Sequence, residues 1–444
     1  MTYEYTTAAT LAREIRAGEV SPVDVLDDLF AQIDAHDDAV NAFTYRREAD
    51  AYEAAREAER AVEEGRDLGP LHGVPVAIKD LDTPVEGAPM TCGSAPLADN
   101  VAEEDCLPVQ RLKSAGAIVV GMTPLAIGSD AGGSIRGSIR IPASACGIAG
   151  LMPSFGLVPF DARPDALEAH SPFTALGPMA RSVEDVALML DVLVGWDASD
   201  PFSVPAPEAD YVGATRRGAD SLSVGYSPDL GIFPMEDVVR DIVEEAVTDL
   251  DAAGASVTPS EPAFGHDYET MLAAWEEGFK LLLSSLPEKV EQATGIDLWG
   301  EHRDELMDQF VAYIEAGLDQ SAAEFKRADM VRTDVYDAVN DVLADNDVFV
   351  TATLATPPFD ADIAGPTAVD GHPVDPYFGW PLTWVFNLTG HPVLSVPAGV
   401  TDDGLPVGLQ IVGQRFDDET VLAAGAAIER IRPWDDHYPP AGIA

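Results

Sequence analysis

The chain has 444 residues, 46% of them hydrophobic, and its 77 acidic against 26 basic side chains give a formal net charge of −51. That apolar content excludes a disordered chain, and a charge with no basic patch to offset it excludes nucleic acid and anionic membranes as partners. The acid is spread along the chain, and only Lys79, Lys113, Lys280, Lys289 and Lys326 are lysine. This pattern fits a halophilic, acidic proteome in molar salt, where screening lengths fall to about 3 Å and self-repulsion is tolerable. No apolar run is long enough to span a bilayer, and the start, MTYEYTTAATLAREIRAG, lacks the basic-then-apolar order of a signal peptide. Cys92, Cys106 and Cys146, with no CxxC, read as buried thiols of a reducing compartment. The expectation is a soluble cytoplasmic protein.

In chain order, residues 1–65 read as a helical N-terminal region. Ser21-Pro22 caps and opens a helix through SPVDVLDDLFAQIDAHD, and an Ala/Glu-rich helix follows near 46–65. VPVAIKDL (74–81) and GAIVVGM (116–122) read as buried strands joined by a crossover helix in EDCLPVQRLKSAG, which predicts parallel pairing. Ser182 caps a helix over 182–195, SLSVGYSPD resembles a strand, and 235–254 is an amphipathic helix. Residues 266–345 are mostly helical. The chain closes on two apolar strands joined across Asp402-Asp403-Gly404, a hairpin signal. With no repeat and no linker, this is one large α/β domain over 1–444: a helical region (1–65), a core (66–200) and a remainder (201–444).

Two segments carry chemistry. Lys79 lies within VPVAIKDL, where loss of hydration lowers a lysine's pKa toward that of a base; a strand-end lysine snorkelling to solvent or pairing with Asp80 is the other reading. In GSDAGGS, the glycines permit a turn whose backbone N–H groups (Ala131, Gly132, Gly133) face an oxyanion beside the Ser134 hydroxyl. Glycine-rich turns are common, so this turn alone does not separate a catalytic site from a core loop. No G-x-S-x-G, H-E-x-x-H, Walker loop or G-x-G-x-x-G occurs, and no metal or organic cofactor is implied. His72 reads as structural in preference to catalytic. Trp275, Trp380 and Trp384 read as core in preference to an aromatic-accepting pocket. Asn387-Leu388-Thr389 is discounted as a glycosylation site.

The motifs GPLHGVPVAIKD, RLKSAGAIVVGMT, GSDAGGSIR with IPASACGIAGL, SVPAGV and DGLPVGLQIVG together resemble the amidase signature family of serine hydrolases, essentially end to end and in matching order. The resemblance implies a mixed sheet covered by helices and a Ser–cis-Ser–Lys triad that hydrolyses carboxamides through an acyl-enzyme. It places the lysine at Lys79, the nucleophile at Ser134 and the oxyanion donors on Ala131–Ser134. Asp130 and an arginine after the nucleophile (Arg136 or Arg140) are structural in that scheme.

Two departures accompany it. The family's glycine–serine-rich segment, which carries the bridging serine, is missing: VVGMT (119–123) runs directly into PLAIGSDAGGS (124–134). The bridging serine is therefore unassigned, and neither Ser94, Ser129 nor Ser138 is promoted to it. The tetrapeptide GSIR is also written twice, so the downstream motif RIPAS aligns Ser138 with the nucleophile while the upstream motif aligns Ser134. The two glycines before Ser134 favour it. If this stretch is helical, Ser134 and Ser138 share a face about 6 Å apart along the axis. The expected function is hydrolysis of a small carboxamide to carboxylate and ammonia or amine. One alternative is a catalytically defective relative; another is an A-type amidotransferase component that works with partner subunits on charged tRNA. A homodimer is a family-level expectation.

Overall fold

The computed structural model describes residues 3–81, 83–123, 128–130 and 138–438. Helix α1 (Ala8–Arg16) is capped by Thr7. Ser21 caps α2 (Pro22–Val40), its hydroxyl accepting from the Val23 and Asp24 amides, with Pro22 at the first helical position. A short β1 (Tyr45–Arg46) leads into α3 (Glu48–Glu63). Leu26, Phe30 and Ile33 of α2 join Ala51 and Ala55 of α3 in a small apolar cluster.

The predicted strand–helix–strand unit is present as β2 (Pro75–Lys79), α4 (Leu107–Ser114) and β3 (Ile118–Thr123), and β2 and β3 pair in parallel. With β1 they form a three-stranded sheet in the order β1-β3-β2. Next come β4 (Gly128–Asp130), α5 (Arg140–Cys146), β5 (Ala149–Met152), β6 (Ala175–Gly177), β7 (Met179–Ala180) and α6 (Val183–Leu193), the last capped by Ser182 as predicted.

The remainder supplies α7 (Tyr211–Ala214), β8 (Ser223–Tyr226), α8 (Asp237–Ala252), β9 (Ser256–Pro259) and a helical stretch. That stretch holds α9 (Tyr268–Ser284), α10 (Leu286–Thr294), α11 (Asp308–Asp319) and α12 (Ala322–Ala344). After β10 (Val348–Ala352) come the small hairpin β11 (Ala368–Val369) and β12 (His372–Pro373), then α13 (Trp384–Asn387). The predicted closing hairpin is β13 (Val393–Val400) and β14 (Pro406–Gly413), antiparallel, with Gly404 at φ +81° in its turn; α14 (Asp418–Ile431) follows.

The main sheet has seven strands in the order β7-β5-β13-β14-β10-β8-β9, mixed parallel and antiparallel. β13 and β14 are buried on both faces, as their near-continuous apolar sequences require. Helices α5, α8 and α14 pack against them. The expected mixed sheet covered by helices is thus present. Among the described residues, however, the strand pair bearing Lys79 stands in its own small sheet, because no strand links β2 to β7. The tryptophans Trp275, Trp380 and Trp384 are core residues. The cysteines correct one expectation: Cys92 and Cys106 are half-buried and Cys146 is exposed, all as free thiols.

Candidate functional site

Lys79 closes β2 and is only 6% exposed. It is the one buried lysine of the five. Lys113, Lys280 and Lys326 pair with Asp105, Glu277 and Asp329 at 2.6, 3.0 and 2.7 Å, and Lys289 pairs with Glu168. The loop after Lys79 is pinned: Thr83 donates its hydroxyl to the Lys79 carbonyl (2.5 Å), and the buried Asp80 accepts from the Thr91 amide (2.7 Å), the Thr91 hydroxyl (2.6 Å) and the Cys92 amide (3.3 Å). The Asp80 carboxylate therefore orders the 91–93 turn beside the strand end.

The strand just ahead of Ala131–Ser134 is β4, whose Asp130 pairs across the ladder with Ala175 of β6. Ala131, Gly132, Gly133, Ser134 and Arg136 lie outside the described residues. The chain is next placed at Ser138, 8% exposed, in a turn ahead of α5. Helix α5 starts at Arg140, so Ser138 itself is not helical.

Two close approaches hold α5 in place. A Cβ on Gly150 of β5 would meet Ala143 Cβ at 2.7 Å, and one on Gly408 of β14 would meet Ser144 Oγ at 2.4 Å. Only glycine permits contact this tight between helix and sheet.

Arg140 is fully buried. Its guanidinium donates to Asn387 Oδ1 (2.8 Å) and Gln410 Oε1 (3.2 Å) and touches Met152 Sδ at 3.4 Å. Asn387 in turn donates to the Phe173 carbonyl (3.1 Å) and Gln410 to the Ala352 carbonyl (3.1 Å). Through Arg140 this network ties the start of α5 to α13, β14 and β10. Asn387 and Gln410 were missed in the sequence; the available signal was an amide side chain inside an apolar run, as in VGLQIVG. Thr353 and Ser395, whose hydroxyls hydrogen-bond at 2.9 Å, are likewise buried polar side chains within apolar runs.

His72 hydrogen-bonds the Ala58 carbonyl of α3 at 2.9 Å and is buried against Gly116, a structural placement. Among the described residues no group of three or more His, Cys, Asp or Glu side chains could hold a metal ion, and no helix is long and apolar enough to cross a membrane.

The profile of the Amidase family matches residues 24–125 and 120–422. An acylamidase of Rhodococcus erythropolis is 31% identical over 97% of this chain and 96% of its own. The A-type component of the glutamyl-tRNA(Gln) amidotransferase of Haloarcula marismortui is 32% identical over 82% of this chain and 97% of its own. Among solved structures, a bacterial aryl acylamidase described as one of the amidase signature enzymes superimposes with a TM-score of 0.92, at 30% identity and over 99% of both chains.

Proposed function

The chain belongs to the amidase signature family and is an amide-hydrolysing enzyme, and from that premise we propose that it cleaves a small carboxamide on its own, through Ser134 and Lys79. The observation that carries this reading is the end-to-end likeness to acylamidases, together with a buried lysine at the end of β2 where the family's base is expected.

In the proposed reaction Ser134 Oγ attacks the amide carbon, and its proton passes toward Lys79. The Ala131–Ser134 amides hold the oxyanion. Collapse breaks the C–N bond as the nitrogen takes the proton and leaves as ammonia or amine. Water then attacks the acyl-enzyme, gives up a proton, and releases the carboxylate with Ser134 restored. Ser138 is the alternative nucleophile, by the downstream motif.

The bridging serine that relays this proton in the family has no assigned counterpart here. Two observations support a missing segment. The family match breaks into pieces that meet at residues 120–125, and the acylamidase alignment runs over 477 positions against 444 residues. Relay through water in place of that serine predicts turnover roughly 10²–10⁴-fold below that of a complete relative.

The amidotransferase reading has a particular observation behind it, the match to A-type amidotransferase components at 27–32% identity over up to 99% of this chain, beside 31% over 97% for the acylamidase. The purified chain should release ammonia or amine from simple aliphatic or aryl amides with no partner protein present. Activity appearing only with partner subunits plus charged tRNA would overturn the proposal in favour of the amidotransferase.

A further inference from the structure

Between β2 and α4 the chain makes an excursion that folds on itself. The Gly87 amide donates to the Ala102 carbonyl (2.9 Å), the Ala102 amide to the Ala88 carbonyl (3.0 Å) and the Met90 amide to the Asn100 carbonyl (2.8 Å). Asn100 Nδ2 returns to the Met90 carbonyl (2.9 Å). The excursion leaves β2 directly after Lys79, so what joins the two also bears on where that lysine stands. Asp80 is that joint. Its buried carboxylate accepts from three donors of one turn: the Thr91 and Cys92 amides on Oδ1, and the Thr91 hydroxyl on Oδ2.

Two successive amides converging on one oxygen make the anion-holding concavity that a tight turn of backbone can form. The turn bends sharply to do so: Cys92 stands at φ +51° and Gly93 at φ +67°. Glycine takes that region freely, whereas a cysteine stays in it only where its surroundings hold it. The charge-assisted bonds to Asp80 supply that hold. Cys92 Sγ, 3.6 Å from the Leu81 carbonyl, adds a weaker tie between the same two pieces.

The peptide that links Lys79 to Asp80 is fixed at both of its polar atoms. The Lys79 carbonyl accepts from the Thr83 hydroxyl (2.5 Å) and the Leu81 amide (3.0 Å), and the Asp80 amide donates to the Thr123 carbonyl (2.9 Å). Successive side chains of an extended strand leave on opposite sides, so Asp80 anchors the excursion on one side of the strand end while Lys79 is presented on the other. A lysine stem is long and flexible, so the place of its ammonium depends on how firmly the strand end is held. We propose that Asp80 is a positioning residue for Lys79: by tying the end of β2 to the 91–93 turn, it fixes the place from which Lys79 acts as base. The proposal rests on the reading above of Lys79 as that base and goes beyond it in naming what holds it.

The test reads the lysine itself. The full chain is reductively methylated with limiting formaldehyde in molar KCl, and each of its lysines is followed by peptide mapping. In Asp80→Ala, Lys79 should be labelled about tenfold faster than in the parent, because local opening exposes it. Asp80→Asn keeps an oxygen for the two amides and can donate to the Thr91 hydroxyl, so Lys79 should label there as in the parent. Asp105→Ala is the control from the same excursion, where it enters α4. The Asp105 carboxylate accepts from the Glu86 amide (2.8 Å) and from Lys113 (2.7 and 2.6 Å), so its loss should free Lys113 and leave Lys79 unchanged. In amide hydrolysis, Asp80→Ala should lower kcat roughly tenfold or more with KM within about twofold, and Asp80→Asn should restore most of it.

Equal labelling of Lys79 in the parent and in folded Asp80→Ala overturns the proposal. So does release of Lys79 by Asp105→Ala, which would mean a general loosening of the excursion, or failure of Asp80→Asn to restore what Asp80→Ala loses. A rise in KM with kcat kept overturns it as well. Hydrolysis by Lys79→Ala equal to that of the parent overturns the base reading and with it the catalytic sense of the anchor. The labelling is taken without turnover and tells that failure apart from a failure of the anchor itself.

Discussion

Glu429 and His391 show how burial, with a nearby charge adding to it, sets the protonation of single residues. The Glu429 carboxyl, accepting from the Val183 amide (3.0 Å) at the start of α6, is pushed up to about 7 by burial, with the nearby Asp185 charge adding to the effect. Asp418, fully buried against Ser154, is likewise pushed up to about 6 by burial. For both, the folded state keeps a proton that the unfolded chain gives up at lower pH. Their contribution to stability is therefore present at low pH and is lost as pH rises, from about 4.5 toward 7 for Glu429 and from about 3.8 toward 6 for Asp418.

His391 works the other way. Burial, then the Arg415 charge, pushes it down to about 3, so its contribution is lost as pH falls below 6.5. Glu429→Gln keeps an acceptor for the Val183 amide and removes the titration. We expect it to flatten the decline in stability between about pH 4.5 and 7, with a gain on the order of 1 kcal/mol at pH 8, read by denaturant unfolding across pH. An unchanged pH profile would contradict the burial argument. None of this was legible in the sequence, because burial of one carboxylate among 77 acidic residues depends on tertiary packing.

The site is held by contacts between elements, with Arg140 as the joint of α5, α13 and β14. Arg140→Ala takes a donor away from the buried Asn387 and Gln410 amides. Since an unsatisfied buried polar group costs about 1–3 kcal/mol, a loss of at least ~2 kcal/mol is expected in chemical denaturation. Arg140→Lys should recover little of it, because an ammonium cannot reach both acceptors as the planar fork does. Full rescue by lysine would show that charge, not geometry, matters there.

Most of this scaffold could be read from the chain. Ser21 and Ser182 are helix caps, the VPVAIKDL and GAIVVGM strands pair in parallel around a crossover helix, and Asp402-Asp403-Gly404 closes a hairpin, because local rules act at those positions. Lys79 stands out because a lysine inside a valine-rich run breaks its own pattern, and it is buried at the end of β2. Asn387 and Gln410 escaped because they meet Arg140 from 247 and 270 residues away, and no local pattern encodes that meeting. The exposure of Cys146 escaped for a similar reason: it depends on the groove that opens beside α5.

At the scale of the whole molecule the net charge of −51 outweighs any single ion pair. Much of the formal pairing sits at the surface, as between Arg60 and Glu57 or Arg66 and Glu64, where an ion pair contributes about 0–1 kcal/mol. On the reading of this surface as adapted to salt, self-repulsion among its carboxylates exceeds the gain from such pairs at low ionic strength. Raising KCl from 0.1 M to 2 M should therefore raise the melting temperature by several degrees, even though it screens the pairs too. A melting temperature that falls with salt would contradict the reading of this surface as adapted to salt.

The amide-hydrolysing assignment rests on the family, and its residue-level form rests on Ser134 and Lys79. The measurement that tests that form most directly is ammonia release from a panel of aliphatic and aryl amides in molar KCl, comparing the parent chain with Ser134→Ala, Lys79→Ala and Ser138→Ala. We expect measurable release by the parent, a loss of roughly 10²-fold or more in Ser134→Ala and in Lys79→Ala, and retention in Ser138→Ala. Release unchanged in Ser134→Ala, or no release by any form shown to be folded, would contradict the assignment of these two residues.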